Sequence, residues 1–316
     1  MRIYDLCQIY YCFCIRHSDF AVVSFARMSA QDEVIYLERD GLKRRYVLHR
    51  PPACAPDRTH PVVVMLDGRG GTPWTGMKST GWNAQADAHG FLVAYPEATR
   101  MDPSGPLHFL DNPQMWNAGI GSSDAERPPV DDVGFLRAVL DDLLARGAAK
   151  PGHIAMCGFS NGASMTFRFA VEAGERLAAI GTVAGHFRSG HQPGAALPLA
   201  HFFGKLDPLS PYDGGMVELP WGRTEWRPPA RDSAQAWAAR LGWREDEARI
   251  ESRDGVTIER WGTPGDTREV MFTTIHDLGH VWPGGHRLLP ETLVGKASDR
   301  LSATAELWSF FARHFR

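Results

Sequence analysis

The segment Gly158-Phe159-Ser160-Asn161-Gly162 carries the pattern G-x-S-x-G, directly after the apolar run HIAMC and at the start of a helical pattern. A serine on such a strand-to-helix turn is lifted out of a sheet at a helix N-terminus. Backbone N–H groups and the helix dipole there favour developing negative charge. The chemistry this suits is nucleophilic attack on a carbonyl carbon. The glycines at 158 and 162 meet the need for small neighbours in a tight turn. A serine that merely caps a helix in a Gly-rich turn is the plainer alternative.

A neutral serine hydroxyl is a weak nucleophile, so it needs a base, and the base needs an orienting acid. On strand-turn-helix elbows of this kind the chain order is Ser, then Asp or Glu, then His. Among the histidines after Ser160, His280 follows the apolar run VMFTTI and sits in DLGHVWPGG, whose glycines let it reach across strand ends; His276 and His286 are its rivals. Asp207 follows the apolar run LAHFFG and precedes a proline, and a rigid loop start can fix its carboxylate against an imidazole. Asp213, in a Gly turn six residues on, is the alternative and could simply serve that turn. A tetrahedral oxyanion needs two donors. The N–H of Asn161 is one candidate, and the N–H of Arg69 is the other, in the loop Asp67-Gly68-Arg69-Gly70-Gly71 that follows PVVVML. That loop contains neither phosphate-binding glycine fingerprint.

His276, Asp277, His280 and His286 also raise the question of a zinc site. No HExxH motif is present, and the Gly- and Pro-rich setting does not place these residues on one helical face. No metal and no other cofactor is therefore expected. Trp282, two residues after His280, is expected at the mouth of the site. Trp116 and Tyr212 are expected to line it, while Trp221 and Trp226 are equally open to a packing role.

These residues need a frame that brings them together. VIYLERD (34–40) and RRYVLHR (44–50) predict a hairpin with Asp40-Gly41 as its turn. Apolar runs at 61–67, 91–96, 153–158, 177–185 and 199–204 predict strands buried on both faces. Helical patterns at 131–147, 161–174 and 303–315 complete an α/β alternation. This predicts a mostly parallel central sheet with helices on both faces. The stretch 206–230, rich in Pro, Gly and Trp, predicts an insertion after the strand that carries the acid.

The 316-residue chain is 43% hydrophobic and 22% charged, as in an ordinary globular protein. No linker divides it, so 28–316 reads as one catalytic domain. Residues 1–27 read as a non-native or disordered extension, because Asp5, Gln8, Arg16, His17 and Asp19 interrupt any apolar core of a signal peptide. The net charge is −3 with no basic stripe, which argues against a nucleic-acid partner. No apolar run reaches the ~18 residues of a membrane span. Cys7, Cys12, Cys14, Cys54 and Cys157 do not form a disulfide framework, which favours the cytoplasm over export.

Several blocks, in order, resemble the polyhydroxybutyrate depolymerase and feruloyl esterase group of α/β-hydrolases. They are VVVMLDGRGG (62–71), WNAG (116–119), VDDVGFLRAVLDDL (130–143), GFSNGASM (158–165), DPLSPYDGG (207–215) and GHVWPGG (279–285). The resemblance runs from about Tyr46 to about Gly285. It implies the α/β-hydrolase fold and a Ser160, Asp207 and His280 triad working through an acyl-enzyme. It also implies a small-molecule or polymer-borne ester substrate. A feruloyl ester comes first, a hydroxyalkanoate polymer second, and an acetyl-carbohydrate ester or another acyl transfer behind both. The chain departs from the group at Asp67-Gly68, where His-Gly is usual. Arg69 and Trp243 stand where cysteines often occur in exported members.

Overall fold

The computed structural model describes residues 31–39, 41–109, 111–119, 130–187 and 197–316. The extension 1–27, its three cysteines and the turn residue Asp40 lie outside the described residues.

Among the described residues, ten strands form one sheet. In chain order they are β1 (Asp32–Arg39), β2 (Leu42–His49), β3 (His60–Leu66), β4 (Leu92–Pro96), β7 (Ala149–Phe159), β8 (Ala179–Val183), β9 (Leu199–Gly204), β12 (Arg249–Arg253), β13 (Val256–Trp261) and β14 (Val270–Ile275). Two short pairs stand apart, β5 (Thr99–Arg100) with β6 (Gln114–Met115), and β10 (Gly215–Leu219) with β11 (Arg223–Arg227). The spatial order is β1-β2-β4-β3-β7-β8-β9-β14-β13-β12. Strands β4, β3, β7, β8, β9 and β14 run parallel to their neighbours within this centre, and the two outer pairs on each side are antiparallel. This is the α/β-hydrolase architecture that the alternation predicts.

The parallel strands are mainly apolar, apart from the exposed start of β7, because both faces are covered, and their side chains divide with a period of two. Val62, Val64, Leu66, Ile154, Met156, Phe203 and Phe272 enter one core with helices Asp132–Ala145, Asn161–Ala173 and Ala230–Arg240. Val63, Met65, Ala155, Cys157, Phe202 and Ile275 enter the other with helices Trp82–His89 and Ala303–Ala312.

The chain begins its parallel centre at β3, moves out to β4, and returns to the other side of β3 as β7. Winding directions diverge at this point, which opens a crevice beyond the C-terminal ends of β3 and β7. The loop 67–71 leaves β3 there, and Ser160 follows β7 directly. Asp207 and His280 lie a few residues past the ends of β9 and β14.

The antiparallel edge β12–β13 goes beyond the elements read from the sequence. All of β12 is exposed, so it lacks an apolar signature. Asp254-Gly255, both with positive φ (50° and 76°), make the hairpin turn, a dipeptide that could have signalled the pair. The stretch 206–230 contains the β10–β11 hairpin outside the main sheet, then leads into helix Ala230–Arg240. Cys54 and Cys157 are buried free thiols. No helix among the described residues is long and apolar enough to cross a membrane.

Candidate active site

Ser160 has φ 52° and ψ −118°, a conformation that L-residues adopt only under constraint. Its N–H donates to Val183 O at 2.8 Å, and its carbonyl accepts from Ser164 N–H at 3.1 Å. The flanking glycines are sterically required. A Cβ at Gly158 would fall 2.3 Å from Gly162 O, and one at Gly162 would fall 2.2 Å from Leu66 O. The turn therefore presses against the end of β3 and holds the serine hydroxyl above the sheet.

His280 Nε2 lies 2.9 Å from Ser160 Oγ, and His280 Nδ1 lies 2.7 Å from Asp207 Oδ2. With the carboxylate accepting, Nδ1 carries the proton and Nε2 is left to accept from the serine hydroxyl. Asp207 is 4% exposed, and its other oxygen accepts the N–H groups of Leu209 at 2.9 Å and Ser210 at 2.8 Å. Both carboxylate oxygens are thus engaged, which offsets the cost of burying the charge. The His280 loop is fixed by two backbone bonds, Gly279 N–H to Lys296 O at 2.8 Å and His280 N–H to Val294 O at 2.6 Å. The Phe159 ring lies 5.0 Å from the imidazole.

The rival residues are elsewhere. His276 is exposed and pairs with Thr257 Oγ1 at 3.0 Å. His286 and Asp213 are exposed. Asp277 bonds Ser298 Oγ and the Arg300 guanidinium. No group of three or more His, Cys, Asp or Glu among the described residues is placed to hold a metal.

The two expected oxyanion donors are on facing segments. Asn161 opens the helix after Ser160, so its N–H has no acceptor one turn earlier. Gly68 of the 67–71 loop rests on the nucleophile, and a Cβ there would lie 3.1 Å from Ser160 Cβ. Trp116 joins the two segments. Its N–H donates to Asn161 Oδ1 at 2.7 Å, its carbonyl accepts from Asn161 Nδ2 at 3.1 Å, and its indole N–H donates to Asp67 O at 3.0 Å.

This corrects the substrate-lining role expected of Trp116, which is 1% exposed and acts as a strut inside the fold. Trp282 is corrected in the same way. It is 2% exposed, donates its indole N–H to Thr304 Oγ1 at 2.9 Å, and meets Phe159 edge-on. Tyr212 bonds Thr274 Oγ1 at 3.0 Å and stacks on Phe272, which pins the start of the insertion to the sheet. It is half-buried. Replacing Trp282 by Ala is accordingly expected to cost about 3–5 kcal/mol of stability. The ratio of aromatic-ester to acetate turnover should stay unchanged. Chemical denaturation and paired kinetics check this, and a selective loss on aromatic esters would return the ring to the substrate.

Trp221 contacts the loop that follows β3. At the tip of the β10–β11 hairpin, its ring lies 4.4 Å from the Arg69 guanidinium carbon. Burial, and then the neighbouring Arg223, lower the Arg69 guanidinium to about 10. Arg69 Nη1 also meets Met115 Sδ at 3.0 Å. Trp226, at 61% exposed, stands on the outer face of the hairpin beside Met216.

No family model matches the chain. It is 31% identical over 282 residues to the "Putative esterase NocK" of Nocardia uniformis subsp. tsuyamanensis, covering 84% of this chain and 78% of that one. It is 24% identical over 207 residues to "Feruloyl esterase B" of Piromyces equi. That match covers 63% of this chain but only 36% of the relative's length. Among solved structures, an acetyl xylan esterase from Aspergillus awamori superposes with a TM-score of 0.53 at 14% identity, covering 79% of this chain and 94% of that one. At that identity the likeness concerns the fold alone.

Proposed function

The chain belongs to the esterase family of NocK and is a carboxylic ester hydrolase of the α/β-hydrolase fold; on that premise we propose that Ser160, His280 and Asp207 are its catalytic triad. The observation that carries this reading is the unbroken line of hydrogen bonds from Ser160 Oγ through His280 to Asp207 Oδ2.

Ser160 Oγ attacks the ester carbonyl while His280 Nε2 takes the hydroxyl proton. The N–H groups of Asn161 and Arg69 hold the oxyanion of the tetrahedral intermediate. As the intermediate collapses, the carbon–oxygen bond to the leaving alcohol breaks and His280 returns the proton to that oxygen. Asp207 stabilises the imidazolium in between. A water, deprotonated by the same imidazole, then attacks the acyl-enzyme and releases the acid and the free serine.

For the substrate we propose a feruloyl or related hydroxycinnamate ester, small or polymer-borne. Supporting this are the likeness to Feruloyl esterase B and Trp221, whose ring lies 4.4 Å from the guanidinium carbon of Arg69. Aromatic walls favour flat acyl groups. Higher kcat/KM is expected on methyl ferulate or methyl p-coumarate than on a long-chain nitrophenyl ester. Cleavage of hydroxybutyrate trimers with none of the hydroxycinnamates would make the enzyme a depolymerase instead.

A further inference from the structure

The mechanism above makes no use of one carboxyl that stands beside it. Asp67 is the first residue after β3. Its Oδ1 accepts the Gly68 N–H at 2.8 Å, its Oδ2 lies 2.6 Å from Thr75 Oγ1, and its carbonyl takes the Trp116 indole N–H. The carboxyl fills the inside of the loop so closely that a Cβ at Gly71 would fall 2.4 Å from its Cγ. Thr75 is itself held. It accepts the Thr72 N–H at 2.7 Å and has Thr72 O at 2.8 Å, in the capping box that starts helix Pro73–Thr80. One side chain thus ties the loop over Ser160 to the first turn of the helix behind it.

We infer that Asp67 and Thr75 are positioning residues for the reaction: their hydrogen bonds turn the Gly68 N–H inward and so set the next N–H, that of Arg69, toward the reacting carbonyl. The inference rests on the oxyanion role proposed above for Arg69. A donor placed about 1 Å off the oxyanion forfeits much of its effect, because such bonds count only where the charge develops.

The chemistry of the pair also suits a site that must hold negative charge. An ionised carboxylate beside the oxyanion would oppose it, yet the bonds around Asp67 are equally satisfied by the acid. Protonated, Asp67 donates to Thr75 Oγ1, and Thr75 donates its own hydroxyl hydrogen to Thr72 O. Burial pushes the carboxyl up, against the pull of Thr75 and the Gly68 N–H. Asparagine reproduces the bonding of the acid, with its oxygen on the Gly68 N–H and its amide N–H on Thr75.

The test compares Asp67→Asn, Asp67→Ala, Thr75→Val and Ser160→Ala on one nitrophenyl ester, with circular dichroism and melting curves for each. Asp67→Ala is expected to lower kcat on the order of 10²-fold with KM within about twofold. Asp67→Asn should keep kcat within about threefold, and Thr75→Val should lose about tenfold. A wild-type kcat in folded Asp67→Ala, a loss confined to KM, or an equal loss in Asp67→Asn would overturn the inference. If Asp67→Ala does not fold, Thr75→Val decides, and a wild-type kcat there overturns it. Activity surviving in Ser160→Ala would instead bring down the nucleophile assignment and the inference with it. That result is distinct from a Ser160-dependent enzyme indifferent to Asp67.

Discussion

Ser160→Ala is expected to fold as the parent does and to lose turnover on the order of 10⁶-fold, as in other serine triads. The loss is large because the hydroxyl is the atom that bonds to the acyl carbon, and no other side chain takes its place. The fold should survive because the strained turn is held by backbone bonds that alanine keeps. These are the N–H to Val183 O and the carbonyl to Ser164 N–H. Alanine at φ 52° is no worse placed than serine. Kinetics on a nitrophenyl acetate, with melting curves alongside, decide the matter. Retention of even about a tenth of the rate would exceed by far what a lost nucleophile allows and would sink the assignment.

Asp207→Asn is expected to cost roughly 10⁴ in rate, and the surroundings of the carboxylate say why. The N–H groups of Leu209 and Ser210 point at one oxygen. An asparagine must give them its carbonyl, so its NH₂ faces His280 Nδ1. That nitrogen then has to accept, the imidazole proton moves to Nε2, and the group beside Ser160 Oγ can no longer take a proton. The partner test is Asp213→Asn, an exposed residue, for which a change of less than about twofold is expected. If Asp213→Asn is the damaging change and Asp207→Asn the mild one, the acid has been assigned to the wrong carboxylate.

Much of the frame was legible from local pattern. Strands β3, β4, β8, β9 and β14, and β7 from Ile154 on, are almost wholly buried and mainly apolar, because a parallel strand between two helical layers has no solvent side. Ser160, Asp207 and His280 could be named as candidates because each follows such a run in a turn with Gly or Pro close by. The edge hairpin β12–β13 was less visible. RIESR is exposed throughout and VTIERW carries the buried, Arg231-paired Glu259, so neither reads as an apolar run and only the Asp254-Gly255 turn marks the pair.

The aromatic residues divide along the same line. Trp116, Trp282 and Tyr212 stand in blocks next to the site, and sequence adjacency makes them look like pocket walls. A large apolar ring is equally suited to a crevice and to a core, and nothing in its neighbours along the chain distinguishes the two. The direction of the side chain and the partner for its polar atom decide. Trp282 finds Thr304 across the second core, and Trp116 finds Asp67 and Asn161. Trp221 was placed over Arg69 by the return of the β10–β11 hairpin.

The sequence by itself determined the alternation of strands and helices, the elbow around Ser160 and the short set of acids and bases that could serve it. These are matters of periodicity and turn chemistry within a few residues. Only the tertiary structure decided which of those groups meet. The approach of His280 to Ser160 spans 120 positions and that of Asp207 to His280 spans 73. Contacts at such separation are set by strand order in the sheet, and strand order leaves no local trace in the chain.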